Sequence, residues 1–79
     1  MQETMELVEN LRVFLKYKES GSLVNLDNEN IEIVLDLPSE ENYNFHIDLI
    51  EEFMEDEYIT EEDYSIDGDY EGSILLIKE

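Results

Sequence analysis

Cysteine, tryptophan and alanine are absent from the 79 residues, and there is one proline, one histidine and three glycines. Without cysteine there is no disulfide framework and no thiolate metal site, which accords with a reducing compartment. One histidine leaves little for nucleophile–base catalysis, and no serine stands in a Gly-x-Ser-x-Gly setting. Gly21, Gly68 and Gly72 match no phosphate-cradling fingerprint. Basic residues are the sharpest shortage: 4 Lys+Arg face 23 Asp+Glu, a formal charge of −19. Such a charge excludes direct binding to nucleic acid or to an anionic membrane surface, because phosphates are repelled. No apolar run reaches the ~18 residues of a bilayer span. The start Met1-Gln2-Glu3-Thr4-Met5-Glu6 lacks the basic and apolar regions of a secretory signal. The expectation is one cytoplasmic domain over residues 1–79, with no cofactor and no enzymatic activity.

A strongly charged chain is first a candidate for disorder. Against that stands a hydrophobic fraction of 42%, with 8 Ile, 10 Leu, 3 Phe and 5 Tyr. These types are scarce in acidic tails, so a small packed core is expected, weakened by self-repulsion. Adaptation to high salt also produces acidic surfaces, but the lack of alanine beside abundant Ile, Asn, Tyr and Glu fits a low-GC genome better.

Periodicity divides the chain into four pieces. Leu7, Val8, Leu11, Phe14, Leu15 and Lys18 follow helical spacing over 4–19, with Ser20-Gly21 as the stop. Val13 and Tyr17 fall off that stripe; a wide face buried under a sheet is preferred to a dimer or partner contact. Residues 22–37 read as a hairpin, with Asp27-Asn28-Glu29-Asn30 as turn and Pro38 as terminator. Strict alternation puts Ile31, Ile33, Leu35 and Leu37 on one face. A second helix is expected at about 45–58, with Ile47, Leu49, Ile50, Phe53, Met54 and Tyr58 on its inner arc. Thr60-Glu61-Glu62-Asp63 has capping-box form, and 64–78 reads as a second hairpin turning near Asp67-Gly68 or Gly72. An offset of 42 aligns Leu7-Val8-Glu9 with Leu49-Ile50-Glu51 and Ile33-Val34-Leu35 with Leu75-Leu76-Ile77, a faint internal duplication. The fold class expected is α+β: two helices packed on a four-stranded antiparallel sheet, in the order α-β-β-α-β-β.

Motifs for chemistry are thin. His46, near the expected helix start, reads as a surface or cap residue rather than a catalyst. Paired carboxylates abound, yet acid–base hydrolysis needs a cleft with two unlike environments. From Asp63, an EF-hand count places Ser65, Asp67 and Gly68 at positions 3, 5 and 6, but Ile74 where the bidentate glutamate belongs. A dedicated calcium site is not expected.

The charge is unevenly spread. Arg12, Lys16, Lys18 and Lys78 lie toward the ends, whereas residues 40–71 hold 14 acids and no Lys or Arg. Stabilising i,i+4 Glu–Lys pairs are declined throughout that stretch, which points to a partner of opposite sign. Asp48, Glu51, Glu52, Glu55 and Asp56 share the outer arc of the second helix, and Glu61, Glu62, Asp63, Asp67 and Asp69 extend the track. Five carboxylates over about 12 Å of axis give roughly one charge per 2.4 Å, near the ~1.7 Å of duplex DNA. Tyr43, Phe45, Tyr58, Tyr64 and Tyr70 are interleaved as anchor surfaces, of which Tyr58, Tyr64 and Tyr70 sit closest to the track.

In size, charge, lack of cysteine and layout the chain resembles the phage-encoded DNA mimics, small acidic inhibitors of restriction enzymes, CRISPR effectors and uracil-DNA glycosylase. Ile33-Val34-Leu35-Asp36-Leu37 running into Pro38-Ser39-Glu40-Glu41 is similar to the strand–Leu-Pro–acidic-helix junction of the uracil-DNA glycosylase inhibitor. Just upstream, that family carries a Glu-Ser pair where this chain has Glu32-Ile33, and no functional residue is carried over. The resemblance implies an inhibitor occupying the DNA- or RNA-binding groove of a host defence nuclease, acting in the host cytoplasm. The alternative is an immunity protein or antitoxin neutralising a basic toxin nuclease. The expected partner is a basic nucleic-acid-binding protein, and the chain itself is a monomer or homodimer.

Overall fold

The computed structural model describes residues 4–68 and 72–79. Two helices and four strands follow in the order α1 (Thr4–Tyr17), β1 (Leu23–Asp27), β2 (Asn30–Val34), α2 (Glu40–Asp56), β3 (Tyr64–Gly68) and β4 (Ser73–Lys78). All strand pairings are antiparallel and the sheet order is β1-β2-β4-β3. This is the expected α+β architecture, with each hairpin supplying one central and one edge strand. Among the described residues no helix is long and apolar enough to cross a membrane.

The alternation of the strands decides where the core lies. Opposed pairs Val24–Ile33, Ile31–Leu76 and Ile33–Ile74 put these side chains on one face, and Tyr64 and Ile66 of β3 fall on the same face. That face packs against Leu7, Val8, Leu11 and Leu15 of α1 and Leu49, Ile50, Phe53 and Met54 of α2. Phe14 leans on Phe53 with ring centroids 5.4 Å apart, in a tilted pair that joins the helices. The other face carries Asn25, Glu32, Leu75, Ile77, Ser65 and Asp67, and among the described residues no helix lies over it.

Strand β2 ends at Val34 rather than at Leu37. Leu35 stays buried because its N–H donates to the Gly72 carbonyl (2.7 Å), but Leu37 is 62% exposed where the chain turns into α2. Helix α2 starts at Glu40, not 45. Ser39 is its N-cap, accepting from the Asn42 N–H at 3.1 Å, and Glu40 and Glu41 sit in the first turn, where carboxylates favour the helix dipole. The Asn42 amide donates to the Leu37 carbonyl (2.8 Å) and the Asp36 carboxylate (3.1 Å), tying this junction down.

His46 is a core residue and not a surface cap. It is fully buried, its Nδ1–H donates to the Asn42 carbonyl at 2.9 Å, and its Nε2 has no partner among the described residues. Val13 and Tyr17 are 69% and 75% exposed, so the off-stripe residues of α1 are not covered by the sheet. The 42-residue offset matches buried Leu7, Val8 and Leu11 to buried Leu49, Ile50 and Phe53. It fails in the strands, pairing inward Ile33 with outward Leu75; an offset of 43 matches the faces there.

Both helices end the same way. The Ser20 N–H donates to the Leu15 carbonyl and the Glu19 N–H to the Lys16 carbonyl. The Ile59 N–H donates to the Met54 carbonyl and the Tyr58 N–H to the Glu55 carbonyl. These are two Schellman motifs, and each places a non-glycine residue in the left-handed position: Glu19 (φ 55°) and Tyr58 (φ 57°). Gly21 (φ 77°), expected as the stop, lies two residues further on, where an added Cβ would strike the Asp36 side chain. Relief of the left-handed conformation in Glu19→Gly should stabilise the fold by about 0.5–1 kcal/mol. Urea unfolding should show a higher midpoint at unchanged slope.

Candidate functional site

The acidic arc follows from the inner arc of α2. Because His46, Leu49, Ile50, Phe53 and Met54 are held by the core, Asp48, Glu51, Glu52, Glu55 and Asp56 must face outward, and all five are exposed. Among the described residues only Glu52 of these has a cation, Lys18 Nζ at 3.4 Å just past the end of α1, in a half-exposed pair that contributes little. Asp48, Glu51, Glu55 and Asp56 have no side-chain hydrogen bond or ion pair among the described residues.

The turn after α2 continues the track on a hydrogen-bonded frame. The Asp63 carboxylate accepts from the Thr60 N–H (2.9 Å) and hydroxyl (3.3 Å), while the Glu62 N–H donates to the Thr60 Oγ1 (3.2 Å). The capping-box residues thus close one turn, and Asp63 serves that turn. Glu61 and Glu62 point to solvent. Asp67 is exposed on β3 and accepts from the Gly68 N–H at 2.9 Å. Ser65 and Asp67 lie along an extended strand rather than around a cation-binding loop. Asp69 and Tyr70 lie outside the described residues.

The interleaved aromatics divide. Tyr64 is only 7% exposed: its ring is part of the core and its hydroxyl is 3.0 Å from the Thr4 hydroxyl, so it offers no surface to a partner. The inward phase of β3 decides this, since Tyr64 and Ile66 share a face. Tyr43 packs against the core, and Phe45 stands half-exposed, edge-on to the His46 ring. Tyr58 is the opposite case, 91% exposed and in a left-handed conformation that glycine would adopt without strain.

A groove lies beside Tyr58, where the end of α2 passes the edge strand β3. Met54, Ile59 and Ile66 form its floor, and it encloses about 550 Å³. Tyr58 stands at its wall and Glu51, Glu55 and Glu61 at its rim. The Schellman motif creates this feature, since it brings Ile59 back over Met54. Periodicity marked Tyr58 as an inner-arc residue; its exposure arises because the helix ends at Asp56. In the sequence Ile59 and Ile66 carry little signal, one an apolar residue directly after a helix end and the other an apolar residue in the next strand.

Of the cations in and after α1, Lys18 reaches Glu52 on the acidic arc, while Arg12 is turned to the edge strand β1. Arg12 pairs with Glu9, and its Nε and Nη2 donate to the Val24 carbonyl at 3.0 and 2.8 Å. The guanidinium therefore caps the Val24 carbonyl, one of the backbone groups that the edge strand β1 turns outward.

Comparison of the chain with protein-family models, curated proteins and solved structures yields no match.

Two outcomes follow from this geometry. Adding salt to about 0.5 M should raise the urea midpoint, because screening relieves like-charge repulsion across α2 and the following turn. A fall in the midpoint would show that attraction dominates. Tyr58→Gly should stabilise the fold by about 0.5–1 kcal/mol, as at Glu19, since the ring has almost no contact to lose.

Proposed function

We propose that the chain is a protein inhibitor that occupies the nucleic-acid-binding groove of a basic protein, a host defence nuclease such as a CRISPR effector or restriction enzyme. The observation that carries this reading is the exposed, cation-poor acidic face of α2, continued by Glu61, Glu62 and Asp67. Local stability is served by Glu–Lys pairs at i,i+4, and a face that forgoes them holds its repulsion ready for release by a basic surface. A groove evolved for phosphates offers that surface at comparable charge spacing. Catalysis has no place in the proposal, which is for an interaction protein.

A second reading, an immunity protein or antitoxin neutralising a basic toxin nuclease, draws on the apolar groove beside the acids. Anchor-and-rim contacts of that kind are common at protein–protein interfaces. A toxin gene directly adjacent favours it; phage or defence-island neighbours favour the first.

The immobilised protein should retain nuclease from a bacterial lysate at low salt and release it when duplex DNA or RNA is added. Retention should fall steeply with salt and be lost in the variant Glu51→Lys, Glu52→Lys, Glu55→Lys, Asp56→Lys. Binding that persists at ~1 M salt, where the screening length is ~3 Å, or a variant of full potency, would contradict the proposal.

A further inference from the structure

The two edges of the sheet have different surroundings, a cation at β1 and an apolar groove rimmed by carboxylates at β3. On β1, Arg12 occupies the outward Val24 carbonyl. On β3, the Glu79 N–H donates to the Asp63 carbonyl, which fixes the ladder phase: Asp63, Ser65 and Asp67 direct their backbone groups at β4, and Tyr64, Ile66 and Gly68 direct theirs outward. Of the outward groups, the Tyr64 N–H is taken by the Thr60 carbonyl and the Gly68 N–H by the Asp67 carboxylate. The N–H and C=O of Ile66 have no hydrogen-bond partner among the described residues. The same residue's side chain lies in the groove with Met54 and Ile59.

We infer that this edge is a strand-addition site for an extended, basic segment of a partner protein, paired with the backbone of Ile66 and seating an aliphatic side chain on Met54, Ile59 and Ile66. Backbone pairing gives such a contact its affinity and the side-chain pocket its selectivity. The sign of the flanking charge follows from the rim. Glu51, Glu55 and Glu61 stand over the groove and Asp67 on the outer face of the strand, so lysine or arginine is required on either side of the anchor. A second copy of this chain is the wrong occupant, because it brings another −19 against the same carboxylates. Tyr58, strained and exposed, would close over the aliphatic anchor, the reason to keep an aromatic where glycine folds better. The inference deepens the proposal above and shares with it only the basic character of the partner.

The test uses a short capped peptide alternating lysine with valine or leucine, and two twins: one with serine at every aliphatic position, one with glutamate at every lysine. The full-length protein should bind the first at least tenfold more tightly than either twin. At saturation, hydrogen exchange at the Ile66 amide should slow at least tenfold, while the amides of β1 stay unchanged. Tyr58→Gly should weaken binding severalfold, whereas Glu19→Gly, the same backbone relief at the other helix end, should leave it unaltered. Equal affinity for the serine twin, equal affinity for the glutamate twin, or an unprotected Ile66 amide overturns the inference. None of these readouts involves nucleic acid, so strand addition can fail while competition by DNA succeeds, and the reverse.

Discussion

Everything in this molecule hangs on one apolar face. Ile31, Ile33, Ile74 and Leu76 at the centre of the sheet, with Leu11, Ile50 and Phe53 from the helices above, are the attraction that holds together a chain of charge −19. The face is single-sided, so each helix has one orientation open to it. Once Ile50 and Phe53 are committed inward, Glu51, Glu52, Glu55 and Asp56 have nowhere to go but outward, and their mutual repulsion is a standing load on the core. A small domain has little stability in reserve for such a load. That the load is concentrated on α2 and the turn after it, and not dispersed, is what the proposed binding role rests on.

Strain reinforces the same region. Both helices end in a left-handed residue that is not glycine, but the two ends differ in consequence. Glu19 extends a charged side chain into solvent at the basic side of the fold. Tyr58 extends a large ring with almost no packing of its own, beside a groove rimmed by carboxylates and an edge strand whose Ile66 backbone groups face outward. An exposed aromatic, an apolar groove, outward backbone groups and acids without a cation among the described residues meet at one place, while on the opposite edge Arg12 caps the Val24 carbonyl. Folding alone gives no reason to keep an exposed aromatic in a left-handed conformation at that place.

Element order, antiparallel pairing and the outer arc of α2 were legible in the sequence because they depend on periodicity, and the alternation of Ile31, Ile33 and Leu35 or the spacing of Leu49, Ile50 and Phe53 leaves few choices. Boundaries were less legible. The first turn of α2 is polar and resembles a loop, since its stability comes from the Ser39 cap and the helix dipole rather than from burial. Leu37 continues an alternation that the backbone abandons at Val34 to reach that cap. Tyr64 and Tyr58 carry the same side chain, and only strand phase and helix end decide that one is core and the other solvent. His46 reads as polar, yet it sits one turn before Ile50 and inherits the buried stripe. The groove itself joins residues from a helix end, a turn and a strand, so no single periodic pattern displays it.

The central claim is that the acidic face of α2 is kept against the interest of the fold. Glu51→Gln with Glu55→Gln removes an i,i+4 pair of like charges and retains side-chain length and helix propensity. Urea unfolding of this double variant at low ionic strength measures the claim directly. A higher midpoint than the parent protein, at the same slope, is the expected result. A midpoint that is unchanged or lower would mean that these carboxylates serve the fold after all.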